Sequence, residues 1–401
     1  MSTSLLHHAY RLKGVTYNCT KYSDGKIIFQ AELKRNEYRC PECHSKDVIF
    51  KGRKRRSFLL VPCGKKAVLL DLLLHRLLCQ RCGKVRWPYL AFAPGKQRYT
   101  NSFALFVINL LQHMTIKSVS SLLGVSWDLV KQIHEKKLKS LYAYIDLRQV
   151  RYIAIDEFSI KKGHVYMSII IDMETGRILH AVEGRRKEDI APFFKKLAKK
   201  ADKLQAIAMD MSHSYTAAAL EYLPHVDIVF DRFHVSAQVN HALDTLYRRQ
   251  LHHLAKSGQK TSGGGRFVLF RNYTELDPHR KARLDALLEV NRPLFIMHSM
   301  KEQLRLFWQL PTLNSARRFL TLWSKDARES GIKELKKMSK MIAARQTQLL
   351  NYFKYRLTCG KIEGLINKIK TLKRQTYGFR DMLYFKLRLY HIHVQRYSLS
   401  G

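Results

Sequence analysis

Two aspartates close short apolar runs, Tyr152-Ile-Ala-Ile-Asp156 and Leu204-Gln-Ala-Ile-Ala-Met-Asp210. Runs of this kind read as strands, so each Asp stands at a strand's carboxyl end. If the two strands are neighbours, the carboxylates converge and cannot both ionise without a counter-charge. Oxygen ligands suit Mg2+ or Mn2+. Two such ions beside a phosphate can activate a hydroxyl and stabilise the leaving oxygen. A lone Asp at a strand end is ordinarily a turn or cap residue; only the pair points to metal chemistry. A third carboxylate, Glu363, lies in a helical stretch with Asn367, Lys370 and Arg374 on one face, by i, i+4, i+7 and i+11 spacing. Glu363 fits a metal ligand there, and Lys370 and Arg374 fit contacts to a DNA backbone. The alternative is an ordinary surface helix with i, i+4 pairing. Glu157 follows Asp156, but strand alternation sends it to the opposite face, so it is not expected as a ligand.

The cysteines suggest a different metal. Four of seven fall into two pairs, Cys40-Pro-Glu-Cys43 and Cys79-Gln-Arg-Cys82, separated by 35 residues. Two CxxC knuckles complete a tetrahedral thiolate shell, which suits a structural Zn2+ with no open position for substrate. The alternative is a coincidental pairing or a redox dithiol. Strand-like runs, Ser57–Val61 and Ala67–Leu74, lie between the knuckles, which makes the whole a zinc ribbon. The run Lys51-Gly-Arg53-Lys54-Arg55-Arg56 offers cations for phosphates.

Composition names the partner class. Across 401 residues, 72 Lys plus Arg against 32 Asp plus Glu leave a net charge of +40. Hydrophobic content of 46% excludes a disordered tail, which lacks the apolar residues to offset chain entropy. No apolar run has the roughly 18 residues of a membrane span. The first twelve residues lack a signal-type apolar segment, so no secretion is expected. With basic residues spread along the chain, nucleic acid is the expected partner, the alternatives being a solvated basic surface without a specific partner or a membrane surface.

These groups need elements to hold them. Asn101–Gln112 has helical periodicity, and Ile116–His134 reads as two helices. Gly124 ends the first of these and Ser126 caps the second. Val119, Leu122 and Leu123 are expected to face Leu129, Val130 and Ile133. The result is a helix-turn-helix presenting Trp127, Asp128, Lys131, Gln132 and His134 to a major groove, or else a plain helical hairpin. From Arg151 the texture changes to strands at 152–156, 165–172, 177–183, 204–210 and 226–231, with helices at 188–201 and 214–222. Three hairpin-linked strands followed by strand–helix–strand units imply a mixed α/β sheet. Trp308 and Trp323 are expected in a core, the alternative being that they stack on an unpaired base near the cut. Ser262-Gly-Gly-Gly265 reads as a break with no P-loop Lys after it, so no ATP site is expected.

Taken in order, these motifs resemble the DDE transposases of bacterial insertion sequences, specifically the ISL-three family. The matching stretches are the two CxxC pairs, Ile155-Asp156-Glu-Phe with the Tyr166 strand, Met209-Asp210-Met-Ser and Asp231-Arg-Phe-His234. Ile362-Glu363-Gly-Leu-Ile-Asn367-Lys-Ile-Lys370 and Tyr377-Gly-Phe-Arg380 complete the set, over about residues 36 to 395. Ile366 interrupts the family's Glu-Gly-Leu-Asn run, and Cys359-Gly-Lys-Ile precedes it where a small residue is common. Neither change touches a carboxylate.

The resemblance implies a multidomain α/β chain. A zinc ribbon plus helix-turn-helix would precede a ribonuclease-H-like mixed sheet with a large helical insertion. The expected divisions are an N-terminal extension (1–35), zinc ribbon (36–90), helix-turn-helix (95–145), catalytic core (150–239), insertion (240–345) and the helical remainder of the core (346–401). It implies a catalytic triad of Asp156, Asp210 and Glu363 holding two Mg2+ or Mn2+. Asp231 and His234 would brace that site, or simply form a hydrogen-bonded pair in the fold. It implies binding to transposon ends and target DNA as a homodimer or higher oligomer, in the cytoplasm at the nucleoid. A DNA-binding regulator without catalysis and a ribonuclease-H-like nuclease without strand transfer are the competing readings.

Overall fold

The computed structural model describes residues 5–161, 163, 165–256, 266–376 and 378–392. Ser262–Gly265 and Tyr377 lie outside the described residues. The chain divides into two compact units, one of Met1–Tyr144 with Lys373–Gly401, the other of Ile145–Leu372.

The first unit is built on a five-stranded sheet of β1 (Val15–Ser23), β2 (Lys26–Leu33), β3 (Val48–Cys63), β4 (Lys66–Cys79) and β5 (Val85–Arg86). Its order is β1-β2-β4-β3, with β5 also on β4. Asp24 and Gly25 close the β1–β2 hairpin, both at positive φ, as the tightest hairpin turns require. Along β4 every second side chain, Val68, Leu70, Leu72 and Leu74, is buried, the period-two signature of a strand with one covered face. They pack with Phe29, Ala31, Phe58 and Leu60. Residues 15–33, which the sequence reading leaves as an extension, thus belong to the same sheet as the basic run.

Three helices follow, Asn101–Leu110, Ile116–Leu123 and Trp127–Leu141. Thr100, Thr115 and Ser126 each accept a hydrogen bond from a backbone N–H three residues on. Each such cap contributes about 1 kcal/mol. Gly124 sits at φ 61° between the last two helices, a left-handed turn cheap only for glycine. Val119, Val130 and Ile133 fill the core with Phe103 and Val107 as expected, but Leu122 is 60% exposed. On so short a helix only one stripe reaches the core, and Val119 and Leu123 occupy it. The helix Met382–His391, some 250 residues downstream, packs Tyr384 and Leu387 on Leu138.

The second unit carries the mixed sheet of β6 (Tyr152–Lys161), β7 (Val165–Asp172), β8 (Ile178–Glu183), β9 (Ala206–Met209) and β10 (Asp227–Phe230). Its order is β10-β9-β6-β7-β8; β6, β7 and β8 are antiparallel neighbours, while β9 and β10 run parallel to β6. In order of appearance that is 5-4-1-2-3, the ribonuclease-H arrangement. The parallel strands are buried on both faces and read as continuous apolar runs, which explains their legibility. Helix Gln346–Tyr355 covers the edge strand β10: Asn351 donates to the Ile228 carbonyl at 2.9 Å and Lys354 pairs with Asp227 at 2.7 Å. Six α-helices and one short 3-10 helix occupy the stretch from Arg232 to Ala344 within the described residues, and their core is continuous with that of the sheet. Trp308 and Trp323 are buried there, and Trp323 donates its indole N–H to the Met300 carbonyl. Among the described residues no helix is long and apolar enough to cross a membrane.

Candidate active site

Strand register brings the aspartates together. β6 and β9 run parallel with Ala154 opposite Ala208, so Asp156 and Asp210 stand level, each two residues further on. Likewise Met209 lies opposite Phe230, which puts Asp231 level with Asp210. Neighbouring strands are about 4.8 Å apart. β9 and β10 stop just before Asp210 and Asp231, whereas β6 runs on to Lys161. It carries Asp156 mid-strand, just past its pairing with β9, rather than at its end as expected. The three aspartates still form a row where the parallel pairing ends, the edge at which open α/β sheets place their sites. Asp156 accepts the Glu157 backbone N–H at 2.8 Å, and Asp210 accepts that of Ser212 at 3.0 Å. Asp231 is buried, with Oδ1 lacking any hydrogen-bond partner and Oδ2 3.9 Å from His234 Nε2.

Glu363 comes from the first turn of helix Gly360–Gln375. Ile362, Leu365, Ile366, Ile369 and Leu372 bury one side of that helix, leaving Glu363, Asn367, Lys370 and Arg374 exposed. The expected stripe is therefore present. The buried Cys359 just before it ties the set together. Burial pushes its thiol above the ordinary range, and the charges of Asp231, Asp156, Asp210 and Glu363 push it further. All four carboxylates thus bear on one sulfur.

The electrostatics fit a cation. Burial raises Asp156 from 3.8 to about 6, with Glu157 and Asp210 adding to the rise and His234 opposing it. Burial likewise raises Asp210 and Asp231. An oxygen-only donor set that is costly to ionise, with one orphaned buried oxygen, is what a hard divalent ion relieves. The carboxylates are nevertheless looser than the thiols. Among the described residues only the four cysteines bring three or more donor atoms within 4.8 Å of one another.

A cleft of about 460 Å3 opens beside Asp210, lined also by Glu157, Arg185, Arg186, Ser212, His234 and Gln238. Glu157 was expected on the far side of the strand. β6 continues beyond its pairing with β9, which ends at Ala154, and Glu157 lines the cleft on that stretch. Its carboxylate accepts the Tyr215 hydroxyl at 2.9 Å and lies 3.4 Å from Arg185. Sequence reasoning missed both partners; the Arg185-Arg186 pair after β8 was the available signal.

The thiols form a second centre. Cys43 and Cys79 sulfurs are 3.4 Å apart, and those of Cys40 and Cys82 3.7 Å. Zinc bound tetrahedrally at about 2.3 Å needs sulfurs about 3.8 Å apart, so the set fits. The two knuckles share one backbone pattern. Cys40 N–H donates to Ser45 and His44 N–H to Cys40; Cys79 N–H donates to Lys84 and Gly83 N–H to Cys79. The Cys43 N–H pointing at Cys40 draws that thiol down to about 7, toward thiolate.

The expected DNA contacts are scattered. Lys51, Arg53, Lys54 and Arg55 are exposed on β3, with Arg55 paired to Asp71 at 3.3 Å. Alternation puts Arg53 and Arg55 on one face and Lys54 and Arg56 on the other. Arg56 is half-buried over Phe58 and donates to the Gln97 carbonyl. On the helix after Gly124, Trp127 and Gln132 are exposed, while Lys131 is held by Asp381 at 2.7 Å. His134, expected in the groove, is buried instead and bonded to the Tyr384 hydroxyl at 2.7 Å. The C-terminal helix covers that side, which no local pattern reveals.

Comparison with known proteins identifies the family. A transposase family model of type ISL3 matches residues 153–389, and the helix-turn-helix domain of transposase family ISL3 matches residues 90–134. The transposase for insertion sequence element IS1001 of Bordetella parapertussis is 29% identical over 355 residues, covering 88% of this chain and 86% of that protein. The transposase for insertion sequence element IS1557 of Mycobacterium tuberculosis is 24% identical, covering 86% and 83%. Among solved structures, the Drosophila P element transposase strand transfer complex aligns with a TM-score of 0.41 and 10% identity, over 73% of this chain and 92% of that one.

Proposed function

The chain belongs to the transposase family ISL3, and from that premise we propose that it cuts and joins DNA at the row of carboxylates. Asp156, Asp210 and Glu363 hold two divalent ions, Mg2+ or Mn2+, and Asp231 with His234 braces them. Such ions, when bound, activate a water or 3′-hydroxyl and stabilise the departing oxygen. The chain's own groups do the rest. Arg185 stands beside Asp210, where a scissile phosphate would need a positive partner, and His234 lines the same cleft. Lys370 and Arg374 continue the Glu363 stripe along its helix as backbone contacts. The helix-turn-helix, through Lys131 and Gln132, and the β3 run Lys51–Arg56 bind terminal inverted repeats. Zinc at Cys40, Cys43, Cys79 and Cys82 holds the ribbon. The protein acts in the cytoplasm on nucleoid DNA as a homodimer or higher oligomer.

The observation that carries this reading is the level register of Asp156, Asp210 and Asp231 where the parallel pairing of three strands ends. A strand-transfer assay with an end-containing oligonucleotide tests it. Cleavage with joining supports a transposase, cleavage alone a nuclease, and binding alone a regulator.

Salt provides a further check. Each phosphate contact releases counterions, so log affinity for end DNA is expected to fall with log salt by about 0.9 per contact. An affinity independent of salt would mean that the charge of +40 has another purpose.

Metal and pH are linked. Asp156 is raised from 3.8 to about 6 in the folded chain, so the folded state holds this proton more tightly than the unfolded. Its contribution to stability is complete below 3.8 and lost as pH rises through about 6. A cation takes the proton's place above that range. Mg2+ is therefore expected to raise Tm clearly at about pH 8 and little at about pH 5. Equal shifts at both would place the ion elsewhere.

A further inference from the structure

In the first unit a cleft of about 520 Å3 lies between the segment before β1, the first cysteine knuckle and helix Asn101–Leu110. Arg11 and Lys13 from the segment before β1 and Arg39 from the segment before the first knuckle line it, three cations against one carboxylate, Glu37, and none of the three forms an ion pair among the described residues. Opposed to them are two apolar surfaces left open, Tyr89 at 61% exposure and Leu105 at 50%. No aromatic ring of the described residues stacks on Tyr89.

His44 adds an observation of a different kind. The residue after each knuckle's second cysteine takes a left-handed conformation, Gly83 at φ 67° and His44 at φ 58°. Backbone hydrogen bonds are the same in both knuckles. Glycine adopts that conformation freely, whereas a β-carbon makes it costly. One knuckle has the cheap residue; the other keeps a strained histidine where its side chain lines the cleft. Arg11, also on the cleft, is likewise left-handed, at φ 56°. Strained residues held against a cavity point to use of the cavity.

We infer that this cleft takes an unpaired nucleotide of a DNA strand, its phosphate against Arg11, Lys13 and Arg39 and its base on Tyr89 and Leu105. Clustered cations beside an open aromatic face are the chemistry that captures a single-stranded base together with its backbone. Paired duplex hides its base faces, so the cleft prefers a strand end or a displaced nucleotide. The inference rests on the DNA-binding reading above and adds a second kind of DNA contact to it.

Fluorescence anisotropy with the full chain tests this, comparing a blunt duplex with the same duplex bearing a short single-stranded overhang. The overhang is expected to bind about tenfold more tightly, the usual size of one stacked base. Tyr89→Ala should remove that difference and leave blunt-duplex affinity in place. His44→Gly should keep or raise Tm, because it relieves the strained turn, yet weaken the overhang preference. Mononucleotide added in excess should compete poorly; if it competes as well as the overhang, a free nucleotide is the ligand and the strand assignment fails. Equal affinity for both duplexes overturns the cleft proposal while leaving duplex binding intact. Binding of neither overturns both readings.

Discussion

Asp156→Asn is expected to leave binding to transposon ends near the wild-type level while cleavage and strand transfer fall by several orders of magnitude. The substitution keeps the side chain's size and its acceptor for the Glu157 N–H, but removes the charge needed to hold a cation. Divalent ions contribute several kcal/mol of transition-state stabilisation, and each 1.36 kcal/mol is a factor of ten in rate. Binding should hold or tighten, since one negative charge near phosphate is gone. Asp210→Asn and Glu363→Gln should behave alike, and a double variant scarcely worse, because groups acting as a unit are non-additive. Glu157→Gln is no neutral control, since that carboxylate shares the cleft with Asp210. Cleavage by Asp156→Asn at the wild-type rate with Mg2+ would overturn the triad.

Replacing Cys40 or Cys79 with Ser should release one zinc equivalent and abolish specific end binding. Both thiols are buried, and the pairing of Val48 with Cys79 fastens β3 to β4 at the knuckles. Structural zinc contributes folding free energy directly, so its loss should loosen that end of the sheet along with the ribbon. Metal analysis, Tm and end-binding affinity should all change together. A Cys40→Ser protein that keeps native Tm and full binding, with no zinc in the parent, would refute the assignment.

Where the code was local, it was legible. β9, β10 and the first half of β6 are short continuous apolar runs because both their faces are covered, and an Asp follows each run where the parallel pairing ends, although β6 itself continues to Lys161 along β7. Gly124 and Ser126 announce the helix turn through backbone conformations that few residues tolerate or supply. The CxxC pairs are legible because a metal shell demands particular donors at particular spacing. Period 3.6 exposed the Glu363 face of its helix, since Ile362, Leu365 and Ile369 must be buried together.

Other features depend on contacts between distant segments. Glu157 shares the Asp210 cleft from a stretch of β6 that runs on past its pairing with β9, a difference in strand length that alternation cannot register. His134 and Lys131 are claimed by Tyr384 and Asp381, 250 residues away, so helix periodicity alone misplaced one of them. The open cleft at Arg11 and Tyr89 is assembled from four separated stretches, of which only the cysteine knuckle has a motif, and that motif points to a metal and not to a cleft. By itself the sequence determined the strands of the second sheet, the turn at Gly124 and Ser126, the donor types and the charge, all set by the neighbours of each residue, while β1 and β2 within residues 15–33 escaped it. Tertiary structure alone decided which side chains share a surface, because burial and pairing energies are collected only when remote segments meet.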